Sequence, residues 1–259
     1  MSNQNMQGII MTSNWKNIIS SMLMGCFVYV EVCGQTLPSA PFQLSGKEKR
    51  QGYHVLFDGT SMDQWKGNTA EYVLEEGTIT MRPSQRGGGN LYTKNTYTDF
   101  ILRFEFWLSP AGNNGLGLRH DYVEPDKGYS GMELQILDNE HPDYANLEPG
   151  QYHGSVYKII PAKRGFLKPA GEWNIQEVRA KGDHIQVILN GEMILDGHLK
   201  EATARLKPGS FQNAVLNESG HIAFLGHGSV VKFRNIRIRE RKAFCCAQQA
   251  YRARVSSVR

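Results

Sequence analysis

The chain has 259 residues, 40% of them hydrophobic and 10% aromatic, with a formal net charge of +4. This composition excludes a disordered chain. The charge is small and partly gathered in the last residues (Arg239, Arg241, Lys242, Arg252, Arg254, Arg259), so it supplies no basic stripe of the kind a nucleic-acid reader needs, and a nucleic-acid partner is not expected.

The chain opens with an export segment over residues 1–34. Lys16 precedes an apolar run from Ile18 to Val30 that is too short and too interrupted to span a membrane. Val32-Cys33-Gly34 then offers small or medium residues to a signal peptidase, which makes Gln35 the first mature residue. The rival is lipoprotein processing at Leu23-Met24-Gly25-Cys26, with a lipid on Cys26, and only that route implies a membrane partner. Either route exports the protein, to the periplasm or beyond. Of the four cysteines, Cys26 and Cys33 lie in this segment and Cys245 and Cys246 lie in the tail, so no disulfide framework is expected in the fold.

Residues 35–51 are polar with two prolines and read as a linker, a folded domain runs from 52 to 240, and residues 241–259 are a basic tail. Within the domain, strand follows strand. Tyr72-Val73-Leu74 and Thr78 to Met81 flank Glu75-Glu76-Gly77 as a hairpin. Phe100 to Leu108 alternates, with Leu102, Phe104, Phe106 and Leu108 on one face and Arg103, Glu105 and Trp107 on the other. Ile185, Val187 and Leu189 lead into Asn190-Gly191, a strong hairpin signal, with Met193-Ile194-Leu195 as the return strand. Glu201 to Leu206 is a candidate short helix, and Val230 to Ile238 reads as one strand broken at Arg234-Asn235. Many short strands with turns between them predict an all-β, two-sheet antiparallel β-sandwich of the jelly-roll kind, whose curved open face makes a groove.

Three segments carry more polar groups than a plain sandwich needs: Asn113 to His120, Gly131 to Asn139, and Gly226-His227-Gly228. In the second, a period of two puts Glu133 and Gln135 on one face and Met132, Leu134 and Ile136 on the other, so the carboxylate is expected to face the groove. There it can act as a general base, bind hydroxyls or hold a metal. Asp138 follows the alternation and is placed at the sheet rim, and Arg119 is a candidate partner for Glu133 on a neighbouring strand. Of eight histidines, His120, His153 and His227 lie nearest these segments. No His-Glu-x-x-His pattern, nucleophile elbow, phosphate loop or dinucleotide fingerprint is present.

The chain resembles the 3-keto-disaccharide hydrolase domain family. The resemblance rests on Leu56-Phe57-Asp58-Gly59 with Trp65, Asn113-Asn114-Gly115 with Arg119, and Glu133 through Asn139. Gly154-Ser155-Val156-Tyr157, Lys168 through Asn174, Leu189-Asn190-Gly191, Gly220 through Ala223, and His227-Gly228 with Phe233-Arg234-Asn235-Ile236 complete it. The chain departs from the family at Asn114, where the family usually has Ser, and at Phe224-Leu225, where it usually has Leu-Gln. The resemblance implies a concanavalin A-like sandwich with a carbohydrate in its groove, and a substrate whose sugar carries a ketone at carbon 3. The ketone acidifies the proton on carbon 2, so one base and an enolate-stabilising group suffice for elimination and rehydration. Glu133 and His153 are the candidate bases. Asn113, Asn114, Arg119, His120, Gln135, Asp138, Tyr157 and His227 are the candidate sugar-binding residues. Glu133, Asp138 and His153 are the candidate ligands if a divalent ion takes part. The alternatives are a non-catalytic sugar-binding module and a β-glucanase with two carboxylates.

Overall fold

The computed structural model describes residues 40–84, 89–122, 130–209 and 213–241. The export segment, its cleavage site, Cys26 and the Cys245-Cys246 pair lie outside the described residues. In chain order the elements are α1 (Gly46–Gln51), β1 (His54–Phe57), β2 (Trp65–Gly67), β3 (Tyr72–Glu75), β4 (Thr78–Met81), β5 (Asn90–Tyr97), β6 (Phe100–Leu108), β7 (Asn113–His120) and β8 (Met132–Leu137). They continue with β9 (Trp173–Lys181), β10 (His184–Leu189), β11 (Glu192–His198), α2 (Leu199–Ala204), β12 (Gly220–Gly226) and β13 (Val231–Glu240).

The strands form two antiparallel sheets. The larger runs β11-β10-β9-β6-β13-β4-β3, with β1 also paired to β13, and the smaller runs β2-β5-β12-β7-β8. Alternation decides which side chains meet between them. β6 sends Leu102, Phe104, Phe106 and Leu108 inward, as its period of two predicts, and these meet Leu116, Leu134, Ile136 and Phe224 from the smaller sheet. Phe224 stacks on Phe233 at 3.7 Å between ring centroids and on Trp65 at 5.3 Å. Burying this aromatic set against its neighbours holds the layers together without cross-links.

The turns follow their chemistry. Glu76 and Gly77 (φ 48° and 74°) close the β3–β4 hairpin, and Asn190 and Gly191 (φ 52° and 96°) close β10–β11, the positive-φ pairs a two-residue hairpin requires. The break expected at Arg234-Asn235 is a bulge inside β13, with Asn235 at φ 54°. The expected short helix is present as α2.

One expectation fails at the N-terminal edge: part of the 35–51 stretch is helical. Ser45 caps α1 in a reciprocal capping box with Glu48, and Gly52 ends the helix in the left-handed region. Glu48 is also clamped by Arg103 at 3.3 Å and Arg237 at 2.9 Å, so α1 is tied to the larger sheet.

The two outer faces differ. That of the larger sheet is an ordinary solvated face, with Arg103 paired to Glu177, Arg234 paired to Glu105, and Ile175 half exposed. That of the smaller sheet is recessed: Tyr92, Ala223, Leu225, Glu133 and Gln135 point away from the core and are all buried. Outward-facing residues of a two-layer sandwich are covered only where the surrounding chain rises above them, so the middle of this face is covered and a groove is left at its β8 end, where Asn113, Tyr157 and His227 reach solvent.

Candidate active site

Strand register lays out the groove floor. One cross-strand row reads Lys66 (β2), Tyr92 (β5), Ala223 (β12), Gly117 (β7), Glu133 (β8). The next reads Asn90, Leu225, Gly115, Gln135. The middle of the first row carries nothing larger than a methyl group of its own, and the space over Gly117 is taken by the His120 ring, 2.8 Å from where a Cβ at 117 would stand.

Glu133 is 6% exposed and lies over Gly115, where an added Cβ would stand 2.1 Å from its Oε1. Only glycine leaves room for the carboxylate there. His227 reaches back from the end of β12 and brings Nε2 to 3.4 Å from Glu133 Oε1. Its side chain is 45% exposed, so it meets both the carboxylate and solvent. Gln135 donates from Nε2 to Asn113 Oδ1 at 3.4 Å, which leaves the Asn113 amide N–H groups and the Gln135 carbonyl oxygen for a ligand. Tyr157 flanks this end: Leu134 bridges Val156, and the Tyr157 N–H donates to the Glu133 carbonyl, so Tyr157 shares a face with Glu133. Its hydroxyl accepts from Gln151. Glu133, Gln135, Asn113, Tyr157 and His227 are therefore brought together.

The other candidates are not. His153 lies between the sheets, stacked on Phe106 at 5.0 Å. Its Nδ1 accepts from the Leu137 N–H, so Nε2 carries the proton and donates to Gln176 Oε1 at 3.0 Å. Burial pushes its pKa down to about 4. Both nitrogens are committed and no substrate reaches them, so His153 is a core residue and not a base. Asn114 also points inward, donating to the Tyr72 hydroxyl at 2.9 Å, because alternation puts it with Leu116 and Leu118. The departure from Ser at this position thus alters the core and leaves the groove untouched.

Arg119 does not pair with Glu133. Its φ of 54° interrupts the alternation of β7 and turns the side chain to the end of the sandwich. There the guanidinium donates to the Thr98 and Gly182 carbonyls and to Asp99. The same kink sends His120 to the groove side, where it packs against Gly117 and Gly131, fully buried, with its pKa lowered to about 4 by burial. It supports the floor and offers no surface to a sugar. Asp138 accepts from the Ala111 N–H at 3.1 Å and fixes the turn before β7. About 16 Å of strand separate it from Glu133, so the two-carboxylate arrangement of ordinary glycosidases is not formed. The metal set Glu133, Asp138 and His153 is likewise split between groove, rim and core. Among the described residues no cluster of three His, Cys, Asp or Glu could hold an ion.

Sequence reasoning missed the far side of the smaller sheet's outer face: Lys66, Tyr92, Tyr122 and His221. Their signal was weak, since Lys66 and Tyr92 join the row only through pairing between strands far apart in sequence.

Residues 52–239 match the sequence profile of the 3-keto-alpha-glucoside-1,2-lyase-like domain. A 3-keto-disaccharide hydrolase of Bacteroides thetaiotaomicron is 31% identical over 227 residues, 73% of this chain and 78% of that protein. Among solved structures, a Parabacteroides distasonis protein assigned to the glycosyl hydrolases superposes with a TM-score of 0.69 at 25% identity, covering 78% of this chain and all of that one. A Bacillus subtilis protein with a galectin-like fold gives 0.50 at 13% identity over 73% of this chain and 94% of its own, a likeness of fold alone.

Proposed function

Because the chain belongs to the 3-keto-alpha-glucoside-1,2-lyase-like domain family, we propose that it cleaves glycosides whose sugar bears a ketone at carbon 3, and that Glu133 is the base. The observation that carries the reading is a recessed carboxylate with a half-exposed histidine at 3.4 Å and an amide pair beside it.

The Glu133 carboxylate removes the proton from carbon 2, and the electron pair moves into the ketone to give an enolate. The free Asn113 N–H groups stabilise the enolate oxygen, and the Gln135 carbonyl oxygen accepts from a neighbouring hydroxyl and orients it. Collapse of the enolate restores the ketone, forms the carbon 1–carbon 2 double bond and expels the group on carbon 1, which leaves with a proton from His227. Water then adds to carbon 1 and gives its proton to His227, and Glu133 returns the first proton to carbon 2, so the net reaction is hydrolysis and both residues are restored. Tyr157 forms the side wall against the ring.

The protein acts outside the cytoplasm in this reading, as the export segment over residues 1–34 supports. Mass analysis of the processed protein is expected to begin at Gln35. A lipid on Cys26 would instead establish the lipoprotein route.

The test is turnover of a 3-keto-α-glucoside beside its unoxidised parent. Release of the aglycone from the keto form alone is expected, and Glu133→Gln is expected to lower kcat by about a thousandfold while sugar binding persists. Binding without turnover in the unsubstituted protein would make it a sugar-binding module.

A further inference from the structure

Tyr157 serves the reaction above only as a wall, yet its hydroxyl is held in one sense. Gln151 ends a 3-10 turn, Pro149–Gln151, closed by a reciprocal capping box with Glu148. The Glu148 N–H meets the Gln151 amide at 3.1 Å. An N–H only donates, so the amide atom facing it is Oε1, and the other must be the NH2 group. That group lies 3.1 Å from the Tyr157 oxygen and donates to it. The phenol oxygen therefore accepts from Gln151, and its own proton is free to point elsewhere. Among the described residues no acceptor takes it.

Main-chain bonds fix both partners. The Tyr157 N–H donates to the Glu133 carbonyl at 2.9 Å, and the Lys158 N–H donates to the Gly150 carbonyl at 2.8 Å. The first bond, with the Leu134–Val156 bridge, sets Tyr157 directly opposite Glu133 on one face, with Cβ atoms about 5 Å apart. The second holds the turn that carries Gln151 against the segment that carries Tyr157. Gln135, two residues along β8, is the diagonal neighbour of Tyr157, within reach of an aromatic side chain. Asn113 stands on the other side of Gln135, bonded to it. Tyr157 is partly exposed, at the end of the face that is open to a ligand.

We propose that Tyr157 is a catalytic hydrogen-bond donor to the ketone oxygen of the substrate, and that Gln151 is the positioning residue that makes it a donor. The inference rests on the functional reading above. The proton that Glu133 removes and the oxygen that takes up the charge sit on adjacent carbons of one ring. The base and the donor to that oxygen must therefore be neighbours, as a directly opposed cross-strand pair is. Asn113 approaches the oxygen from the β7 side and Tyr157 from the opposite side. A phenol is a more acidic donor than an amide, so its bond strengthens most as the enolate charge develops. The phenol keeps its proton throughout. Glu133 alone holds the proton from carbon 2, and the electron pair moves as before.

The test uses 1,5-anhydro-3-keto-glucitol, which has no group on carbon 1 to expel and so reports enolate formation alone. Exchange of its carbon 2 proton in deuterium oxide is followed by NMR at rising concentrations. Tyr157→Phe is expected to lower the saturating exchange rate about a hundredfold, with the half-saturating concentration shifted less than threefold. Gln151→Glu keeps the shape and the bond from the Glu148 N–H, but its carboxylate takes the phenol proton, so a loss of about a hundredfold is expected there too. Gln151→Met leaves the phenol able to donate and is expected to cost about tenfold. A merely structural role for Gln151 would reverse that order, since Glu is the closer isostere. Full exchange in Tyr157→Phe, or a milder effect of Gln151→Glu than of Gln151→Met, overturns the proposal while the base remains. An absence of exchange in the unsubstituted protein would instead overturn the functional reading itself.

Discussion

At the scale of single residues, the groove depends on what is missing from its floor. The Glu133 carboxylate occupies the space where a side chain at position 115 would begin, with Oε1 2.1 Å from an ideal Cβ. Gly115→Ala must therefore push the carboxylate aside while the strand itself stays intact. A shift of about 1 Å in a reacting group costs on the order of 100-fold in rate. We expect kcat/KM to fall by about that factor with the melting temperature nearly unchanged. Unaltered kinetics would remove Glu133 from the reacting end.

At the scale of elements, the hairpin at Asn190 shows how much structure one turn residue can carry. Asn190 sits at φ 52°, donates to the Phe166 carbonyl and to Asn174 Oδ1, and accepts from the Ile175 N–H. Asn190→Ala loses three bonds and a residue type that tolerates the left-handed region. It is expected to cost about 2 kcal/mol, read by denaturant titration, with catalysis by the folded protein retained. The Asn-Gly signal made this hairpin legible in the sequence, and alternation made β6 and the Glu133 face of β8 legible too. The same rule misplaces a residue where the backbone leaves it. Arg119 and His120 were misread because a positive φ at Arg119 swaps faces in mid-strand, and no neighbouring glycine announces it. His153 was misread because it lies outside any strand. Proximity in sequence to polar residues says nothing about which side of β8 its ring takes. The capping box at Ser45 and Glu48 was visible, but a short helix among polar residues looks like a linker until the arginines of the larger sheet are placed above it.

For the whole molecule, two buried imidazoles set the acid limit. His120 and His153 are held near pKa 4 by burial, below the ordinary 6.5. Between these values the unfolded chain binds protons that the folded chain does not, so stability falls as pH drops from 6.5 towards 4. The loss is at most of order 3 kcal/mol for each histidine. Denaturant midpoints measured across that window are expected to fall steeply, and His153→Phe is expected to flatten the slope by about half. The same variant should be less stable at neutral pH, since the Leu137 N–H and Gln176 lose their partner. A slope as steep as in the unsubstituted protein would mean that His153 is not a buried neutral group.

The row from Lys66 to Glu133 crosses all five strands of the smaller sheet. Its length is thus fixed by main-chain ladders, which surface substitutions do not stretch. Exchanging rim loops would change what lies above this row, while the interval between Lys66 and Glu133 would stay the same until a strand was inserted or lost.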